Sequence, residues 1–246
     1  MQPSIKNMAK QVVAIGEVVW DILPNESILG GTPSNMVFRC NSFGERGHLL
    51  SRIGDDELGN SALKRLKELG ISDANVQIDT VFSTGTVNIH FDENEDPVYK
   101  VTPDVAFDHI EFTPEALKLA RRADCLFYGL LAQRFGISKN TIRELIKESP
   151  KSLKFFDLKL FEHFFDANVV ESLLEKSNIV RIKEKEIGFL AKQFELEETN
   201  LEIFCTELSK KFKVQLVLIT RGYNGVFAFD KKKGAFSDTG YEIEMK

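Results

Sequence analysis

Three short stretches hold residues whose types and spacing could do chemistry. Asp21 closes the segment GEVVWD. Gly30 and Gly31, in ILGGTPSN (residues 28–35), stand directly before a helix start, and Asn35 lies one turn inside it. Thr220-Arg221-Gly222-Tyr223-Asn224-Gly225 follows the apolar run VQLVLI. Glycine before a helix lets the backbone approach a ligand closely or take a left-handed turn. Thr32 has the residue type of an N-cap, and Pro33 suits the first helical position. The N–H groups of such a first turn could meet an oxygen-rich ligand. The same residues also describe an ordinary strand-to-helix turn, as does the glycine pair after VQLVLI.

Other chemistries find little support. The four histidines (His48, His90, His109, His163) are scattered, with neither metal-ligand spacing nor an acyl-transfer triad. Cys40, Cys125 and Cys205 lie far apart in apolar patterns and read as reduced core residues. A net charge of −5 gives no reason to expect nucleic acid, so any phosphate-binding pocket must be local. No apolar run is long enough to cross a membrane, and the first residues, MQPSIKNMAKQVVAIG, lack a secretory signal pattern. A cytoplasmic location is therefore expected.

The elements that must position these residues follow from periodicity. QVVAIG begins as a strand. A helix follows from Pro33 to about Phe43, with Met36, Val37, Cys40 and Phe43 on one face. ELGNSALKRLKELG carries Leu58, Ala62, Leu66 and Leu69 at helical spacing. TVNIHFDENEDPVYKVT alternates on both sides of an acidic turn and predicts a hairpin, residues 86–102, with one face exposed. From Thr113 onward helices and strands alternate, ending in the hairpin GVFAFD-KKKG-AF. The pattern predicts an α/β fold, one domain over residues 1–246, with a mostly parallel sheet and the early hairpin as a small lid. In such sheets ligands sit beyond the carboxyl ends of the strands.

GEVVWDILP, LGGTPSNMVFRCNSFG, SRIGDDELGNSALKRLKELGI, VAFDHI, LFYGLLAQR and LITRGYNGVFAF, taken in order, resemble the ribokinase-like (PfkB) family of carbohydrate kinases, most closely its fructokinase-like members. The similarity runs from about Val12 to the end of the chain. It implies an αβα sandwich with a β lid, and ATP-dependent phosphoryl transfer, with Mg2+, to a hydroxyl of fructose or a similar small sugar. Gly30, Gly31 and Asn35 match the family's sugar-binding motif, Asp21 matches its sugar-binding acid, and Arg134 in LAQR matches a position near the sugar. Thr220, Gly222 and Gly225 match the T-x-G-x-x-G segment beside the ATP phosphates. Glu186 matches the glutamate that organises the magnesium-water shell, with Lys183 at the start of the same stretch. The resemblance also allows a homodimer formed through the lid or exposed sheet surface.

The chain departs from the family at its catalytic end. No G-A-G-D motif occurs, and FSDTGYEIEMK corresponds to the segment preceding it, so the C-terminal elements are expected to be missing and no catalytic residue is assigned. Asp238 reads as a turn residue, followed by a strand at Tyr241-Glu242-Ile243. The D-x-N-x-R stretch appears as Asp157-Leu158-Lys159-Leu160-Phe161, and N-x-x-E as Lys183-Glu184-Lys185-Glu186. A lysine can neutralise phosphate but cannot accept a hydrogen bond from metal-bound water. Lys159 and Lys183 read either as solvated lysines or as a phosphate clamp. Two functions stay open: a sugar kinase, or a degenerate relative that binds sugar or nucleotide without turnover.

Overall fold

The computed structural model describes residues 8–91, 97–160 and 166–240. They fall into two compact units. Residues up to Phe127 together with Phe135–Ser152 form one; Tyr128–Arg134 and the residues from Leu153 on form the other.

The first unit opens with β1 (Gln11–Ile15), in which Val13, Ala14 and Ile15 are fully buried. A run buried on both faces is what a parallel strand requires. Next come β2 (Val19–Ile22), β3 (Ser27–Gly30) and α1 (Thr32–Ser42). β4 (Arg46–Gly54) runs parallel to β1, with Val13 opposite His48, and α1 packs on both strands. α2 (Glu57–Glu68) leads to β5 (Val76–Asp79), parallel to β4. β6 (Gly85–Phe91) and β7 (Pro97–Val101) form the expected hairpin; residues 92–96 of its turn lie outside the described residues. α3 (Pro114–Arg122), capped by Thr113, β8 (Cys125–Gly129) and α4 (Gly136–Lys147) follow.

The hairpin is not a free-standing flap. β6 also pairs in parallel with β2, and β2 pairs antiparallel with β3, giving a four-stranded sheet ordered β3-β2-β6-β7. Asp21 therefore sits within a strand of this sheet. Trp20, the only tryptophan, donates from Nε1 to the Leu58 carbonyl at 2.9 Å and ties the small sheet to α2.

Two other expectations change. α1 starts at Thr32, so Gly31 takes the cap position and Pro33 stands one residue inside the first helical position; Thr32 makes no side-chain cap. Phe43, expected on the buried face, follows the helix and is 83% exposed. Helical spacing no longer sets the direction of a side chain beyond the last turn.

In the second unit β9 (Leu153–Asp157) is followed by α5 (Ala167–Lys176), β10 (Ile179–Lys183), α6 (Ile187–Phe194), α7 (Leu201–Phe212) and β11 (Leu216–Thr220). β9, β10 and β11 are parallel neighbours, with Lys183 opposite Thr220. β12 (Val226–Asp230) and β13 (Gly234–Asp238) add an antiparallel hairpin at the edge. Phe156, Val180, Ile182, Phe204, Val217 and Ile219 are fully buried, whereas Val226 and Phe236 keep exposed apolar surface. Asp238 ends β13 and accepts the Gly240 N–H at 2.7 Å, the turn role expected of it; residues 241–243 lie outside the described residues, as does Phe161.

The turn between β4 and α2 is held by one carboxylate. Asp56 caps α2 by accepting the Gly59 N–H at 2.7 Å, and it also accepts the Thr84 N–H at 2.8 Å and the Thr84 hydroxyl at 2.7 Å. Burial alone would raise its pKa, but the hydrogen bonds from Thr84, Gly59 and Leu58 outweigh it and hold the carboxyl below its ordinary 3.8. A depressed folded pKa stabilises the fold above the unfolded value, and that contribution is lost as pH falls through the folded value. An Asn side chain would face the buried Thr84 N–H with a donor. Asp56→Asn should cost about 1–3 kcal/mol at neutral pH, and the gap in melting temperature to wild type should narrow as pH drops below the ordinary aspartate range; thermal melts across that range check both.

Candidate functional site

In the first unit Asp21, Gly30, Gly31 and Asn35 meet where the small sheet enters α1. Asp21 stands opposite Ile28 of β3 and Val87 of β6. Its carboxylate lies over Gly30 so closely that a Cβ there would overlap it. Gly31 has a φ of +111°, and a Cβ on it would collide with the Glu17 carbonyl oxygen. The two glycines thus serve different ends: one makes room for a carboxylate, the other for a carbonyl and a conformation that L side chains resist. Glu17 is 4% exposed and accepts the Thr32 N–H at 3.1 Å, satisfying a first-turn donor of α1. The Asn35 side chain is exposed and makes no hydrogen bond to any described residue. A carboxylate and an exposed amide within one turn of a helix start can supply several directional hydrogen bonds to a hydroxyl-rich ligand.

The second unit carries a cleft of about 460 Å³ at the carboxyl ends of β10 and β11. Arg181, Lys183, Lys185 and Arg221 line it against one carboxylate, Glu184, with Thr220 and Gly222 also on its wall. Arg181, half-buried in β10, donates to Asp157 of β9 at 2.8 Å and to the Thr220 hydroxyl of β11 at 3.1 Å, bracing three strand ends. Arg221 pairs with Glu184 at 3.0 Å, and its N–H donates to the Gly225 carbonyl at 2.8 Å, closing the loop. Gly225 is required there: its φ is +78°, and a Cβ would strike the Asp238 carbonyl. Lys183, Glu186, Thr220, Gly222 and Gly225 all fall in or beside this region. Arg134, also in this unit, follows the short turn Leu131–Gln133 and is half-buried.

Glu186 is buried. Its Oε1 accepts the Leu160 N–H at 2.9 Å and its Oε2 the Lys183 N–H at 2.8 Å. Burial pushes its carboxyl above the usual range, against the pull of those two donors and of Lys183. Burial, and then the charge of Lys159, hold the Lys183 ammonium below the usual lysine range. Burial pushes the Cys205 thiol up to about 12, which keeps it in the unreactive thiol form. Among the described residues no group of three or more His, Cys, Asp or Glu could hold a metal ion.

Over residues 10–244 the chain matches the profile of the pfkB family carbohydrate kinase. The chain belongs to the pfkB family of carbohydrate kinases. Among its pfkB relatives, the Arabidopsis thaliana protein named "Probable fructokinase-2" is 23% identical over 242 residues, covering 89% of this chain and 71% of the relative. The fold matches the crystal structure of an uncharacterized sugar kinase from Pyrococcus horikoshii with a TM-score of 0.80 at 20% identity, over 96% of this chain and 78% of that one. A Xylella fastidiosa fructokinase with bound ATP matches at a TM-score of 0.80 and 14% identity, over 96% and 76% of the two chains. These likenesses show the ribokinase-like α/β fold with its large, mostly parallel sheet.

Sequence reasoning about this pfkB chain missed four participants. Glu17 was legible as a lone acid in an otherwise apolar link, and Arg181 as a lone cation inside the strand IVRIK, a residue type rarely buried without a partner. The Arg221–Glu184 pair left no such signal. Because each Glu186 oxygen accepts a backbone N–H, an amide can satisfy only one of them. Glu186→Gln should therefore destabilise the fold by about 1–3 kcal/mol, read as a lower midpoint in urea with an unchanged slope.

Proposed function

We propose that this chain is a sugar-phosphorylating protein that binds a small sugar such as fructose at Asp21, Gly30, Gly31 and Asn35, and the phosphates of ATP at Lys183, Glu186, Thr220, Gly222 and Gly225. The reaction class moves the γ-phosphoryl group from ATP to a sugar hydroxyl oxygen, releasing ADP and the hydroxyl proton. One observation carries the sugar assignment: the Asp21 carboxylate is held over Gly30, just before the helix whose first turns carry the exposed Asn35 amide. Arg134 joins the sugar ligands by resemblance alone. The small sheet, which bears Asp21, serves as the cover that excludes water. Ile28 and Tyr99, each about half exposed on that sheet, offer the apolar surface for a homodimer. No described helix is long and apolar enough to cross a membrane, consistent with work on a cytoplasmic sugar.

ATP phosphates suit the cleft, where four cations face one carboxylate. Mg2+, also implied by the family, suits it poorly. Lys183 presents an ammonium where an acceptor for metal-bound water is expected, and Lys159 adds a second charge nearby. These two lysines favour a second reading, a relative that binds sugar and nucleotide without turnover.

ADP release with Mg-ATP and fructose, ribose, glucose or a keto-sugar acid separates the two. Sugar-dependent turnover is the expected result; binding of fructose without turnover would sustain the second reading instead. Asp21→Ala should weaken sugar binding about tenfold or more, since hydrogen bonds to a charged group are lost. Trp20, the neighbouring residue and the only tryptophan, reports it by fluorescence. Unchanged affinity in that variant would remove Asp21 from the site.

A further inference from the structure

The charges around the second-unit cleft are unequally satisfied. Its three neighbouring carboxylates already have protein partners: Glu184 pairs with Arg221, Glu186 accepts the N–H groups of Leu160 and Lys183, and Asp157 pairs with Arg181 through Oδ1, while its Oδ2 is buried without a hydrogen-bond partner among the described residues. Asp157 is also 1% exposed, closed off from any ion in the cleft. The ammonium groups of Lys183 and Lys185 are not committed. Neither has a carboxylate within ion-pair distance among the described residues, though both line the cleft.

Lys183 is the less comfortable of the two. It is half-buried, and Lys159, Lys185 and Arg181 all raise the positive potential at its ammonium, with Glu186 as the nearest compensating charge. A charge held in such a place gains more from an anion than an exposed lysine would, because the local dielectric screens it less. A divalent cation entering the same space meets repulsion from Lys183, Lys159, Lys185 and Arg181. Arg181 and Arg221, fixed by their own carboxylates, keep the walls in place without consuming the lysines.

We propose that this cleft binds the phosphates of a nucleoside di- or triphosphate directly through Lys183 and Lys185, with no divalent cation required, the Lys183 ammonium standing where a hydrated metal ion would otherwise link phosphate to protein. The inference rests on the nucleotide half of the proposed function and deepens it. It concerns binding, not transfer.

Calorimetric titration of ADP into the full chain tests it, once in EDTA and once in excess MgCl2. The expected result is an affinity that agrees within about twofold in the two buffers. Lys183→Asn should weaken binding in EDTA about tenfold or more, the loss of one charge-assisted contact, and Mg2+ should then restore part of it. Lys183→Arg, which keeps the charge, should stay metal-independent. The exposed Lys185→Ala, which leaves the packing intact, should also weaken binding in EDTA. ADP bound by wild type only when Mg2+ is present would overturn the inference while leaving the nucleotide site standing. No ADP binding in either buffer would overturn both, and the Asp21-dependent fluorescence response to sugar would still report separately on the other half of the function.

Discussion

The carbonyl oxygen of Glu17 lies where any side chain on residue 31 would have to be. Much of the first unit depends on that contact. It lets the chain pass from β3 into α1 through Gly31 alone, so that Asp21 on one strand lies against Gly30 on the next, and Asn35 follows in the first turns of the helix. The Glu17 side chain then secures the same corner by accepting the Thr32 N–H. Backbone and side chain of one buried glutamate thus fix a turn that a threonine cap would otherwise have had to hold. The absence of a Cβ is what makes the corner possible, and the carboxylate is what makes it rigid.

The second unit reaches order by a different route, through charge. Parallel strands end in unpaired backbone groups and leave their last side chains facing the same space. Here that space is filled with cations, and Arg181 keeps them organised by spanning Asp157 and Thr220. Glu186 adds to this from within, accepting one N–H after β9 and one at the end of β10. Each acid in the region has a structural assignment. Lys183 and Lys185 have no such partner among the described residues, and that imbalance sets the charge of the cleft.

The alternation of helices and strands was legible because the buried strands IVRI and LVLI and the amphipathic helices follow their expected periods. The small sheet was only half legible. β6 and β7 are long enough to show alternation, but β2 and β3 have four residues each and mix Trp20, Asp21 and Gly30. Phe43 misled for a local reason, since it lies past the last turn of α1, where the helical face no longer exists. Of the site, the glycine pairs and Asp21 could be read, because tight approaches and lone acids leave a mark in sequence. Arg221 and Glu184 could not: two charges in loops say nothing of each other until the fold brings them together.

The pairing of β2 with β6 has a consequence in time. It joins Val19 to Gly85 in parallel, across the whole of α1, β4, α2 and β5. As the chain emerges during synthesis, the strand that bears Asp21 has only β3 as a partner until Gly85 has been made and the helices between have packed. Long-range parallel pairing of this kind closes late, because the entropy of the intervening loop must be overcome first. The corner around Asp21 is therefore among the last parts of its unit to be finished, and a nascent chain passes through a stage in which it has a core but no completed corner.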